Sequence, residues 1–179
     1  MDMKKNLLCL IFMLSGMLHA QKMITRTGVV KFDATVPGAT DQVAATNNAV
    51  SALLDKNSGD LAIQVMIKSF RFKIPLMEEH FNENYMDSDK LPKATFKGKI
   101  VGFQPQNGTY DVEGDLTIHG VTQKVKTKMT LKVEGGKIHL DGTFMVKLKD
   151  YDLTVPALAK KTLAETAKLT VDLTLENKA

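Results

Sequence analysis

The chain has no tryptophan, one cysteine and five prolines in 179 residues. The cysteine, Cys9, lies in the N-terminal apolar stretch, so the rest of the chain has no disulfide framework, thiolate nucleophile or cysteine metal site. A fold built from that remainder must be held by its core alone. Charge of one sign is scarce as well. Lys and Arg number 24 against 20 Asp and Glu, a formal net charge of +4, too small an excess to imply nucleic acid. No apolar run reaches the roughly 20 residues of a bilayer-spanning helix. Motifs of catalysis are missing too. There is no G-x-S-x-G elbow and no H-E-x-x-H, and Asp87-Ser88-Asp89 lacks the glycine and distal glutamate of a calcium loop.

What is present begins with an export pattern. Lys4 and Lys5 precede the unbroken apolar run Leu7–Leu14, and Ala20 offers a small residue at a cleavage point before Gln21. This is the layout of a secretory signal peptide over residues 1–20. Its removal leaves 21–179 with a net charge of +3 (Lys4 and Lys5 leave, with Asp2). That length suits one domain. The expected location is periplasmic or secreted.

The remainder alternates with period two, as strands do. In 121–133, Val121, Val125, Met129, Leu131 and Val133 share one face, and Lys124, Lys126, Lys128 and Lys132 the other. Tyr110–Ile118, Ile138–Leu148, Leu169–Leu175 and Leu61–Ile67 repeat the pattern. Past Ser69 the apolar parity moves to Phe70, Phe72 and Ile74, which predicts a bulge or a strand buried on both faces. Asn107-Gly108, His119-Gly120, Gly135-Gly136 and Asn57-Ser58-Gly59 read as tight turns, the first as a hairpin with positive φ. Residues 95–148 therefore form a four-strand meander, whose single apolar face must curl or pair with another sheet. A helix is predicted over Leu76–Met86, with Leu76, Met77, His80, Phe81, Asn84 and Tyr85 on one face. A second short helix or loop follows Pro156 over 156–163. Residues 35–48 are small and polar and read as a loop.

Chemistry-bearing clusters are few. His80 and Glu83 on the helix are the one pair that could serve an enzyme, provided both point into one pocket. The lysine face of 121–132 could meet anionic lipid, or be a solvated face that resists edge pairing. Asn107-Gly108-Thr109 matches a glycosylation sequon, but the hairpin turn explains it better. The large residues Phe70, Phe72, Met77, Phe81, Phe96, Phe103, Met129 and Phe144 suit a packed core or a pocket.

Two segments resemble the YceI-like family of bacterial periplasmic proteins. They are SFRFKIPLMEEHFNENYMDSDKLPKATFKGKIVGF (Ser69–Phe103) and YDVEGDLTIHGVTQKVK (Tyr110–Lys126), with the turn at Leu116–Thr122 as the specific signature. Asp141–Glu176 fits more loosely, and 24–60 departs from the family's usual glycine and aromatic series. The resemblance implies an all-β fold, an antiparallel lipocalin-like barrel of about eight strands with one or two short helices. It implies an apolar cavity for a polyisoprenoid lipid such as a quinone or prenyl phosphate, without enzyme activity, metal or other cofactor. Inward parity and the resemblance together nominate Phe70, Phe72, Met77, Phe81, Phe96, Leu116, Ile118, Met129, Leu131 and Phe144 as cavity-lining, with the 76–86 helix near a mouth. Burying about ten methylenes at about 0.8 kcal/mol each gives gross binding on the micromolar scale. The competing expectation is a filled β domain that acts through its surface.

Overall fold

The computed structural model describes residues 22–178, so the leader expected over 1–20 lies outside the described residues. The most regular alternation in the sequence makes the most regular pairing. Strand β7 (Val121–Glu134) runs against β6 (Gly108–Ile118) in one unbroken register from Gly108↔Leu131 to Ile118↔Val121. His119 and Gly120 link them with φ of 51° and 78°, the positive values a two-residue hairpin needs. The lysine face of β7 is answered across the ladder. Lys124 pairs with Asp115 and Lys128 with Asp111, each at 3.0 Å, and Lys126 stands 4.0 Å from both Asp111 and Glu113. The face is thus a solvated, charge-matched surface.

On either side lie β5 (Lys93–Ile100) and β8 (Lys137–Lys147), completing the expected meander, and β9 (Leu163–Asn177) pairs with β8. At the other end β1 (Lys22–Thr35), β2 (Ala44–Asp55) and β3 (Asp60–Met66) form a second meander, with β3 on β5 and β1 on β9. Eight antiparallel strands therefore close into a barrel, which removes every long sheet edge. A two-residue β4 (Arg71–Phe72) continues the line of β3 along β2.

The first strands overturn the expected loop over 35–48. Only 36–43 is loop; Thr35 ends β1 and Ala44 opens β2. Their alternation is masked by bulges. The buried positions of β1 are Met23 and Thr25, then Gly28, Val30 and Ala34, so the parity flips at Arg26-Thr27. In β2 they are Ala45 and Asn47, then Val50, Ala52 and Leu54, flipping at Asn48-Ala49. The flip expected past Ser69 is the same device on the next strand: a 3₁₀ turn, Ile67–Ser69, separates β3 from β4. Asn47 holds this region. It is fully buried, its Nδ2 donates to the Met66 carbonyl at 2.9 Å, and its Oδ1 accepts from the Ala49 N–H at 2.9 Å. These are backbone groups that the interrupted ladder leaves free.

Asn107-Gly108 is not the tight hairpin expected. A seven-residue connection, 101–107, joins β5 to β6, and its positive φ falls on Gly102. Asn107 instead accepts the Val133 N–H on its Oδ1 at 2.7 Å, a side-chain bond that replaces the turn. The far end of the barrel is solid. Leu54, Ile100, Leu131, Leu140, Leu173 and Leu175 are fully buried there, and Phe103 packs against them from the 101–107 connection.

Midway up, Gly98 and Gly114 stand opposite each other on β5 and β6. A Cβ on Gly98 would come within 2.2 Å of the Glu113 carbonyl oxygen and 2.6 Å of the Phe96 ring. The close approach of the two backbones needs both glycines.

Candidate functional site

The upper half of the barrel holds a second buried apolar cluster that is incompletely filled. A cavity of about 120 Å³ lies between β1, β3 and β5–β9 and reaches the segments that cap one end. Among the described residues that line it only Thr95 and Thr127 are polar, and none is charged. On β3 the wall runs through Leu61, Ile63 and Val65, and it continues to Ile67 at the start of the 3₁₀ turn, four lining positions in succession. At about 3.3 Å per residue, on strands tilted about 40° to a barrel axis, this wall is about 15 Å deep. So small a volume over that depth makes a slot rather than a sphere.

Of the ten nominated residues, Phe70, Phe81, Phe96, Leu116, Ile118, Met129 and Phe144 line this slot. Three do not. Leu131 faces inward but belongs to the solid floor, at 0 % exposure. Phe72 and Met77 lie nearer the surface, around a second recess of about 200 Å³ at the mouth. Sequence reasoning missed Val30 and Phe32, whose parity the β1 bulge hides. It also missed Val125, Val146, Leu169 and Val171, for which the inward parity was present and unused.

The lid over the mouth is α1 (Pro75–His80) running into a π turn, Phe81–Tyr85. This matches the extent of the expected helix but not its face. Leu76, His80 and Asn84 are exposed, and Met77, Phe81, Tyr85 and Met86 turn inward. The wider π turn, closed by the Met86 N–H on the Phe81 carbonyl at 2.9 Å, rotates the stripe away from the 3.6-residue spacing. Pro75 starts the helix at a position that needs no N–H. Glu78, expected to lean outward, turns back to take Arg71 on Oε1 at 2.9 Å and the Phe72 N–H on Oε2 at 3.1 Å, tying α1 to β4.

Phe81 divides slot from mouth recess and lines both, as do Phe32, Met86, Leu148 and Leu153. Its ring packs 5.0 Å from Phe72, 5.6 Å from Phe70 and 5.8 Å from Phe32, in tilted or edge-on geometry. It is the hub of a four-ring plug.

The other half of the lid is the 148–162 segment. Its 3₁₀ turn, Leu148–Tyr151, is fastened to the β6–β7 hairpin. His119 Nδ1 lies 3.3 Å from the Tyr151 carbonyl oxygen, and Gln123 Nε2 donates to the Asp150 carbonyl at 2.9 Å. Leu148 and Leu153 thereby point into the slot. Burial, reinforced by Asp150, raises the Tyr151 phenol above its ordinary pKa. A second 3₁₀ turn, Ala157–Ala159, occupies the segment expected as helix or loop.

His80 and Glu83 do not meet. His80 borders the mouth recess, while Glu83 borders a groove with Lys68 and Phe72, and both are exposed. The pairing that an enzyme reading required is contradicted.

Comparison with known proteins places the architecture. A YceI-like domain is matched over residues 19–175. A UPF0312 protein of Pseudomonas syringae pv. tomato is 32% identical over 88 residues, covering 46% of this chain and 45% of its own. A UPF0312 protein of Vibrio parahaemolyticus is 30% identical over 115 residues, covering 56% and 58%. The chain thus spans about half the length of the curated relatives it matches. Among solved structures, a polyisoprenoid binding domain from Saccharophagus degradans superposes with a TM-score of 0.75 at 14% identity, over 89% of this chain and 99% of that one. BcnA of Burkholderia cenocepacia gives 0.70 at 18% identity, over 82% and 95%. At such identities the likeness is one of fold, the closed antiparallel barrel described above. With its fold and with a domain match over most of its length, the chain belongs to the YceI-like family.

Proposed function

We propose that this protein is a non-enzymatic carrier or holder of an apolar chain lipid, of the polyisoprenoid class, in the upper half of the barrel. The observation that carries this reading is the shape and lining of the slot, narrow, about 15 Å deep and free of charged residues. An apolar chain gains about 0.8 kcal/mol for each methylene it buries in such a wall, and no polar group asks for a partner. The solved Saccharophagus relative is a polyisoprenoid binding domain, which supports the ligand class. The slot alone is on the scale of a cavity that holds benzene, about 150 Å³. Slot and mouth recess together reach the lower end of the roughly 300–1,000 Å³ found for ligand pockets. A chain therefore occupies both, with Phe81 displaced.

The same reading includes export. Lys4, Lys5, the Leu7–Leu14 run and Ala20 support cleavage near residue 20, and the N-terminus of protein recovered from the cell envelope or medium is expected near Gln21. The decisive experiment is organic extraction of the purified protein followed by mass spectrometry. Polyprenyl or quinone lipid at near-stoichiometric yield is expected. A lipid-free extract, combined with no uptake of added polyprenol, would overturn the reading.

A further inference from the structure

The two segments that flank the mouth recess each carry one exposed leucine. Leu76 on α1 is 56% exposed, and Leu158 on the 157–159 turn is 97% exposed. A single exposed leucine means little. These two sit beside an apolar opening, next in sequence to the recess-lining Met77 and Ala159. Cations accompany them. Lys73 precedes α1, and Lys160 and Lys161 follow Leu158. Below the rim, Lys31, Arg71, Lys73 and Lys168 border one shallow groove on the outer wall, with Asp33 as its one acid among the described residues. Lys160 pairs with Glu165 and Arg71 with Glu78. Lys168 stands opposite Asp33 in the β1–β9 ladder and helps hold that carboxyl low, whereas among the described residues Lys31, Lys73 and Lys161 form no ion pair. The contrast with β7 is direct, since the lysines at 124, 126 and 128 all face acids. The acids of α1 and its π turn (Glu78, Glu79 and Glu83) line the groove on the segment's other flank.

Apolar tips at an apolar opening, backed by unpaired lysines, are what an anionic bilayer surface recognises. We infer that the mouth rim docks on an anionic phospholipid bilayer, with Leu158 and Leu76 entering the interface and Lys73 and Lys161 facing head groups. Docked this way, the recess opens onto lipid, and an apolar chain moves between bilayer and slot without crossing water. The transfer role rests on the proposed lipid function; the docking is measured independently of it.

The test uses the full chain, purified after whatever processing the cell performs, so that all variants share one N-terminus. Binding to vesicles of phosphatidylglycerol and phosphatidylcholine is compared with binding to phosphatidylcholine alone. A lysine near an anionic leaflet is worth about 1 kcal/mol, about fivefold. Lys73→Gln with Lys161→Gln should therefore weaken binding about 25-fold. Lys132→Gln with Lys178→Gln, an equal charge change at the barrel's far end, should leave it unchanged. Because the chain has no tryptophan, Leu158→Trp supplies a single emitter. Its emission should shift to the blue, and be quenched by brominated lipid, only on phosphatidylglycerol vesicles. Val133→Trp at the far end should do neither. Equal losses in both lysine pairs, or a Trp at 158 that stays in water on those vesicles, would overturn the docking. A barrel that extracts free of lipid would count against the proposed function and leave the vesicle result standing.

Discussion

Phe81 is the residue on which stability and uptake should part company. It belongs at once to the slot and to the recess, and its ring touches three other phenylalanines. Truncating a fully buried phenylalanine costs about 3–5 kcal/mol. Phe81 is only half-buried, so Phe81→Ala should cost about 2–3 kcal/mol, including the aromatic contacts at about 0.5–1.5 kcal/mol each. For a chain of this length each kcal/mol moves the melting temperature by about 2–4 °C, which gives a fall of about 4–12 °C. The same change joins the two spaces. Stopped-flow uptake of a dansyl-labelled farnesyl probe should accelerate several-fold, while Phe81→Leu, which keeps most of the volume, should stay near the parent rate. The probe should also restore part of the lost stability, since it binds only the folded barrel. Uptake in Phe81→Ala that is unchanged or slower, with the expected stability loss in place, would refute the role of Phe81 as the partition.

Three further outcomes are expected. Asn47→Ala removes the side-chain partners of the Met66 carbonyl and the Ala49 N–H, both on exposed residues, and should cost about 1–3 kcal/mol by urea denaturation, the net worth of two hydrogen bonds at about 0.5–1.5 kcal/mol each. Gly114→Ala, whose Cβ would lie 2.4 Å from the Lys97 carbonyl oxygen, should destabilise by at least the 1–3 kcal/mol typical of overpacking, whereas Gly135→Ala in the open β7–β8 turn should cost less, and the two can be ranked by thermal melts. Acid should weaken the fold. The Thr35 N–H bonded to Asp33, and Lys128 bonded to Asp111, hold both carboxyls below the usual carboxylate range. A depressed folded pKa contributes stability that is complete above the unfolded value, near 4, and is lost as pH falls through the folded one. Urea midpoints should drop below about pH 4, and less steeply in Asp111→Asn.

The strands that could be read from sequence are those in which nothing interrupts the two-residue period. In β6, β7, β8 and the second half of β9 every inward side chain holds one parity, and the two-glycine and His119-Gly120 turns fix the register between them. The strands that could not be read, β1 and β2, carry the bulges at Arg26-Thr27 and Asn48-Ala49. A one-residue insertion swaps faces, and averaged over the strand the pattern vanishes. Small inward residues such as Gly28, Ala34 and Ala45 thin the signal further. The helix was legible in extent because Pro75 and the Asp87 turn bound it, but its face was not, because the π turn breaks the 3.6-residue spacing on which the face was drawn. The slot was half legible. Parity separates inward from outward, yet it does not say how high along the barrel a residue sits, and that height separates Leu131 in the floor from Met129 in the wall.

The arrangement of floor and lid bears on how a long ligand could be held. The floor yields little, since its leucines and isoleucine are fully buried in one apolar cluster and close-packed interiors deform at high cost. Any volume beyond that of the slot must come from the lid. The lid is built to give it. Met86 and Met129 line the slot with unbranched side chains that change rotamer at little cost. The α1–π segment is tied down by the Phe81 ring cluster, Glu78 and the buried Met86, and the 148–151 turn by the buried Leu148 and Tyr151 and by two side-chain bonds to carbonyls. The backbone ladder of eight strands does not have to move. On the proposed function, ligand length would be set by how far the chain extends past the lid and not by barrel diameter, so prenyl chains of different lengths should bind with similar affinity once the slot and the recess are filled.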